Sequence, residues 1–138
     1  MFLDTDTESR ILLWREFRTQ LEVSKDPFQD TINLWNSAPR IDHHLDAWNS
    51  QHWPTPWELL KENRFCPIAI PLMMGWTLKL TERFKKDDVL IKICIDHTTQ
   101  MYYNVTVISN TVLNYETNKA VSMEMLPDSL HVQYQRQL

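Results

Sequence analysis

The sequence predicts an α+β domain, with N-terminal helices leading to one central helix packed on a three-to-five-stranded antiparallel sheet. Three observations carry this. Apolar residues recur at helical spacing over 1–85, and the period switches to two at Asp88. The helical half also carries repeated N-terminal start signals, so helices precede strands in one domain, with the sheet over 88–135.

Thr5-x-x-Glu8 reads as a capping box, and Leu13, Trp14, Phe17 and Leu21 follow at helical spacing. Residues 8–22 are therefore expected to form an amphipathic helix. Asp26-Pro27 starts a second helix with proline at its first position. Phe28, Ile32 and Trp35 share a face there, and Pro39 bars continuation. Residues 37–54 show no period and read as a long loop, a length that is uncommon in compact domains without a role.

Thr55-Pro56-Trp57-Glu58 combines an N-cap, a proline at N1 and a glutamate at N3, and predicts a helix to about Asn63. Leu72, Trp76, Leu80 and Phe84 then fall four apart and predict the central helix over about 71–85. Pro71 either kinks it or starts it, because proline inside a helix costs roughly 3 kcal/mol. From Val89 to Asp96 isoleucines alternate with Leu90, Lys92 and Cys94, as in a half-buried strand. Strands at 101–109 and 111–116 follow as a meander, with Asn110 expected at positive φ in the tight turn. Residues 121–125 and 130–134 add two more strands.

Composition excludes more than it assigns. Among 138 residues only Gly75 is glycine, where average usage of roughly 7% would place about ten. Phosphate-binding loops, dinucleotide-binding turns and GxxG clamps each need several, so all three are excluded. A net charge of −4 leaves no basic footprint for nucleic acid. No apolar run approaches the roughly 18 residues of a membrane span, and the first residues lack the pattern of a secretory signal. A reducing cytoplasm, or a particle assembled there, is the expected location, and the Asn104-Val105-Thr106 sequon then carries no sugar. Cys66 and Cys94 form neither a disulfide framework nor a zinc spacing. Gly75 lies within the central helix, where glycine costs roughly 1 kcal/mol against alanine. Close packing against the sheet or a Trp ring is the expected compensation.

Three constellations could carry chemistry. Asp42-His43-His44-x-Asp46, with His52, offers imidazole and carboxylate ligands of a metal-dependent hydrolase. Adjacent histidines aim poorly at one ion, so a polar surface loop is the expected reading, with no metal and no cofactor. Cys66 precedes a helix, a place that can activate a thiolate, and the alternative there is a small buried apolar residue. Trp48, Trp53 and Trp57 cluster around Pro54 and Pro56. They suit either a binding surface with His43 and His44 or a satellite core, in which Trp53 and Trp57 staple the loop to the next helix.

The order cysteine, helix, strand, strand, strand over about 53–116 resembles the core of transglutaminase-like and papain-like cysteine enzymes. That resemblance implies Cys66 at the nucleophile position and Asn114 at the third position. The histidine position falls near Tyr103 or Asn104, where there is none, and His97 lies several residues earlier in the turn. The phrases NLWNSAPRI (33–41), WPTPWELL (53–60), MGWTLKLTERF (74–84) and TVLNYE (111–116) also resemble a family of small tailed-bacteriophage proteins, notably marine and cyanobacterial ones. Its members look like degenerate transglutaminase-like domains. The resemblance implies a non-catalytic phage protein, a virion component or a module engaging a protein partner in the host cytoplasm. The alternative is a cysteine-dependent amide hydrolase or acyl transferase with Cys66 as nucleophile, His97 as base and Asn114 orienting it.

Overall fold

A computed structural model describes residues 1–3 and 6–138. Among the described residues, four α-helices precede a five-stranded antiparallel sheet, an α+β architecture. The helices are α1 (Thr7–Leu21), α2 (Pro27–Asn36), α3 (Pro56–Glu62) and α4 (Ala69–Lys79). The strands are β1 (Val89–Asp96), β2 (Met101–Ile108), β3 (Thr111–Leu113), β4 (Val121–Ser122) and β5 (Leu130–Gln137).

The helix starts follow from side-chain chemistry. Asp6 caps α1, its carboxylate accepting from the Ser9 N–H at 2.7 Å. The expected cap Thr5 lies outside the described residues. Asp26 caps α2, with Pro27 at its first position. Thr55 and Glu58 form a reciprocal capping box on α3. On α1 the buried face is Arg10, Trp14 and Leu21, whereas Leu13 is 37% exposed. Arg10 donates to the Leu60 carbonyl at 2.7 Å and to the Lys61 carbonyl at 3.1 Å, closing the C-terminal end of α3.

The central helix α4 is displaced from its expected 71–85. It begins at Ala69, so Pro71 falls in the first turn, where backbone donors have no partner within the helix. Neither a kink nor a start at Pro71 is needed. It ends at Lys79, where a side chain takes over a carbonyl of its last turn and the Lys79 ammonium holds the turns that follow. The Thr81 hydroxyl donates to Leu78 O at 2.6 Å, and Lys79 Nζ reaches the Lys85 and Asp87 carbonyls. Residues 80–87 therefore run as turns that carry Phe84 onto Phe28.

The sheet order is β4-β3-β2-β1-β5. Strands β1 to β4 form the expected meander, but β5 returns to the far edge and pairs with β1. The connection from β4 crosses the sheet face opposite the helices. There Leu126 and Leu130 pack on Cys94, Val105, Val107 and Val112, a second and smaller core. The turn between β2 and β3 also differs from expectation. Ser109, not Asn110, holds positive φ (52°), while the Asn110 amide bonds both oxygens of Glu124 at 2.9 and 2.8 Å.

The main core lies between the helices and the inner face of the sheet. Its polar centre is Thr77, whose hydroxyl oxygen accepts from the indoles of Trp14 (3.0 Å) and Trp35 (2.9 Å) and donates to Met73 O. Helix α4 rests on β1 and β2, and Thr106 Oγ1 on β2 donates to Pro71 O at 2.6 Å. A β-carbon on Gly75 would come within 2.8 Å of Leu138 Cδ1 and 2.9 Å of Ile91 Cδ1. The expected close approach of this helix to the sheet is there.

Candidate functional site

The long loop is held by hydrogen bonds at both ends and by ring contacts between them. Its start pairs with the segment before α4: Ile41 N–H donates to Phe65 O (3.1 Å), and Phe65 N–H to Pro39 O (3.0 Å). Strand β5 grips its far end. The Ser50 N–H donates to the Tyr134 hydroxyl at 3.0 Å, that hydroxyl donates to Ser50 Oγ at 2.9 Å, and Arg136 donates to Ser50 O at 2.9 Å. These Ser50 contacts hold the Tyr134 phenol below its ordinary pKa. Between the anchors, Trp48 stands edge-on to Tyr102 and also meets Tyr134.

Under this loop lies a cavity of about 340 Å³, with Cys66 at its lining. Leu45, Ala47, Trp48, Pro67, Ile68 and Ile93 supply apolar wall, and His43, Tyr102 and Asn104 supply polar groups. Cys66 is 3% exposed, whereas Trp48 and Tyr102 at the rim are 51% and 60% exposed. Pro67 has no N–H, and the Ala69 and Ile70 amides donate to Cys66 O at 2.9 and 3.4 Å. Pro67 and these two bonds leave the Cys66 and Ile68 amides as the donors of this turn for a developing oxyanion. Among the described residues, no hydrogen bond joins the thiol to an imidazole.

The cysteine and histidines singled out in the sequence are dispersed. His43 shares the cavity with Cys66, but His97 does not line it. The backbone N–H of His97 donates to Ser129 O at 2.9 Å, and its ring meets His131 with centroids 4.6 Å apart. Asn114 sits at positive φ (70°) where β3 ends, and its Nδ2 donates to Asn104 O at 2.8 Å. Cys94 is on the opposite face of the sheet, where burial pushes its thiol pKa up.

The metal reading finds no arrangement to support it. His44 Nε2 lies 3.2 Å from a Glu62 oxygen, His52 Nδ1 is paired with the Asn49 amide, and Asp46 accepts from Trp48 N–H. No group of three or more His, Cys, Asp or Glu among the described residues is placed to hold a metal. The tryptophans also part company. Trp53 is buried, with its indole N–H on Asp46 O (3.2 Å) and the Arg136 guanidinium above its ring. Trp57 is 45% exposed and leans on Trp14 instead, so the two do not form one staple.

Neither protein-family models nor curated proteins give a match to this chain. Among the described residues, no helix is long and apolar enough to cross a membrane. Tyr102 and Asn104 are cavity residues that sequence reasoning passed over. The available signal was aromatic and polar residues on both faces at the start of β2, where a wholly buried strand would be apolar.

Proposed function

We infer that the chain is a non-catalytic protein-interaction module, whose contact is the Cys66 cavity with its Trp48 and Tyr102 rim. The carrying observation is the pairing of an apolar, aromatic-rimmed pocket with a cysteine turn in which Pro67 has no N–H and the Ala69 and Ile70 amides are committed to Cys66 O. Such a pocket suits an apolar side chain of a partner. The phrase-level resemblance to tailed-phage proteins supports a setting in a virion or the host cytoplasm. The transglutaminase-like order, with no histidine near Tyr103 or Asn104 where that resemblance looks for one, supports a fold kept without its chemistry.

A titration with N-acetyltryptophanamide tests this reading. The expected result is saturable NMR shift changes at Trp48 and Ile93, lost in Trp48→Ala and kept in Cys66→Ala. Absence of any response at the cavity would overturn it.

A second reading, cysteine-dependent acyl transfer, is favoured by one observation: His43 lines the same cavity as Cys66. In it His43, rather than His97, serves as the base. It requires iodoacetamide to label Cys66 at about pH 6 faster than an ordinary thiol, with His43→Gln removing the excess. Labelling no faster than glutathione is the outcome expected of the binding module.

A further inference from the structure

We propose that the partner enters as an extended peptide that adds a strand to the open edge of β2, places an apolar side chain in the Cys66 cavity and presents a carboxylate to Arg40. This rests on reading that cavity as a binding site. It adds the backbone pairing and the charge.

The open edge follows from the register. Strand β2 pairs with β3 only through Thr106, Val107 and Ile108, because β3 ends at Leu113. Asn114 takes the left-handed conformation there and turns the chain aside. In an antiparallel ladder, alternate residues direct both backbone groups to the same neighbour. Ile108 and Thr111 flank the two-residue turn, so Ile108, Thr106, Asn104 and Tyr102 face the β3 side. The bond from Asn114 Nδ2 to Asn104 O agrees with this direction. Beyond it, the N–H and C=O of Tyr102 point to a side where no strand runs. Tyr102 and Asn104 also line the cavity, so a peptide paired at this edge lies at the cavity mouth.

The charge comes from a second cleft of about 380 Å³, lined by Asn36, Arg40, Asn114, Tyr115, Thr117 and Asn118. The Asn104–Asn114 hydrogen bond links the linings of the two cavities, and the pairing of Arg40 with Phe65 sets the arginine one residue from Cys66. Among the described residues, no hydrogen bond or ion pair engages the Arg40 side chain. A cation in a cleft of amides and hydroxyls is complementary to a carboxylate, from an acidic side chain or from a peptide C-terminus. Strand addition combines main-chain bonds for affinity with side-chain pockets for selection, and both parts are present here.

The test uses short N-acetylated peptides of β-forming residues, each with one phenylalanine. One carries a nearby aspartate and an amidated end. A second carries asparagine with a free C-terminal carboxylate, and a third carries asparagine with an amidated end. At least one carboxylate peptide is expected to bind at least tenfold more tightly than the third and to slow Tyr102 amide exchange at least tenfold. The tighter of the two identifies the source of the carboxylate. Arg40→Gln is expected to remove that preference. Tyr102→Pro and Tyr102→Ala both lose the ring, but only proline loses the outward N–H, so Tyr102→Pro is expected to bind more weakly. Protected amides on β1 in both variants establish that the sheet is intact. Binding without Tyr102 protection, equal affinity in the two Tyr102 variants, or indifference to Arg40→Gln would overturn the proposal. If N-acetyltryptophanamide still fills the cavity in that case, only strand addition falls; if it does not, the interaction reading falls too.

Discussion

The indole N–H of Trp14 on α1 and the hydroxyl of Thr77 on α4 meet at 3.0 Å in the centre of the core, with both residues fully buried. Trp35 from α2 makes the same approach to the same oxygen at 2.9 Å. One small side chain therefore satisfies two indoles, each ring burying roughly 150–250 Å². Thr77→Val keeps the shape and strands both donors. With about 1–3 kcal/mol for each unsatisfied buried group, a loss of about 2–6 kcal/mol is expected in urea unfolding. Thr77→Ser keeps the acceptor and should lose about 1 kcal/mol, mostly from the missing methyl.

Gly75→Ala sets two effects against each other. Helix propensity favours alanine by about 1 kcal/mol, while overpacking typically costs about 1–3 kcal/mol. Leu138 can turn away, but Ile91 is fully buried and its Cδ1 lies 2.9 Å from the added carbon. The expected net effect is a destabilisation of about 1 kcal/mol. Ile91→Val removes the opposing methyl and should be less harmful in the Gly75→Ala background than alone, a coupling that a double-mutant cycle measures.

Asp96 closes the β1–β2 turn, its carboxylate accepting from Thr98 N–H at 2.9 Å and Thr99 N–H at 3.4 Å. The Thr98 amide first, then the Ser129 hydroxyl, holds this carboxyl below its ordinary pKa. A depressed folded-state pKa adds stability above the unfolded value of about 3.9, and that stability is lost as pH falls through the folded value. Asp96→Asn should therefore be less stable than the parent at neutral pH. The gap should close only below about pH 4, as chemical unfolding across pH will read.

Tyr134→Phe deletes the oxygen that accepts from Ser50 N–H. The expected cost is about 1 kcal/mol. Hydrogen exchange should rise at Ser50 and its neighbours while the β1–β5 ladder stays protected. Equal exchange in parent and variant would mean that β5 does not anchor this loop.

Helix starts were legible because a cap is local chemistry: Asp26-Pro27 and Thr55-Pro56-x-Glu58 act where they stand. Helix ends were less so, since α4 stops where Thr81 and Lys79 capture carbonyls that no periodicity marks. The long strands β1 and β2 follow from alternation, while β3 and β4 are shorter than the expected 111–116 and 121–125, and alternation carries no information on which edge β5 joins. Leu13 fits the helical pattern and still faces out, because α1 presents Arg10, Trp14 and Leu21 inward. At the site, Cys66 and Trp48 were legible by residue type. Tyr102 and Asn104 were not, because their roles depend on β3 turning away at Asn114, which a single left-handed residue decides.

The return of β5 to the far edge also orders events in time. The hairpins linking β1, β2 and β3 close over short turns, whereas β5 can find β1 only after the chain has looped across the sheet. Closing long loops is paid in entropy before contacts reward it, so this strand should dock late. Tyr134 and Arg136, the anchors of Ser50, ride on β5. The Ser50 end of the loop over the Cys66 pocket is thus expected to be fastened after the β1–β3 meander has formed, while its Ile41 end, paired with Phe65, does not wait for β5.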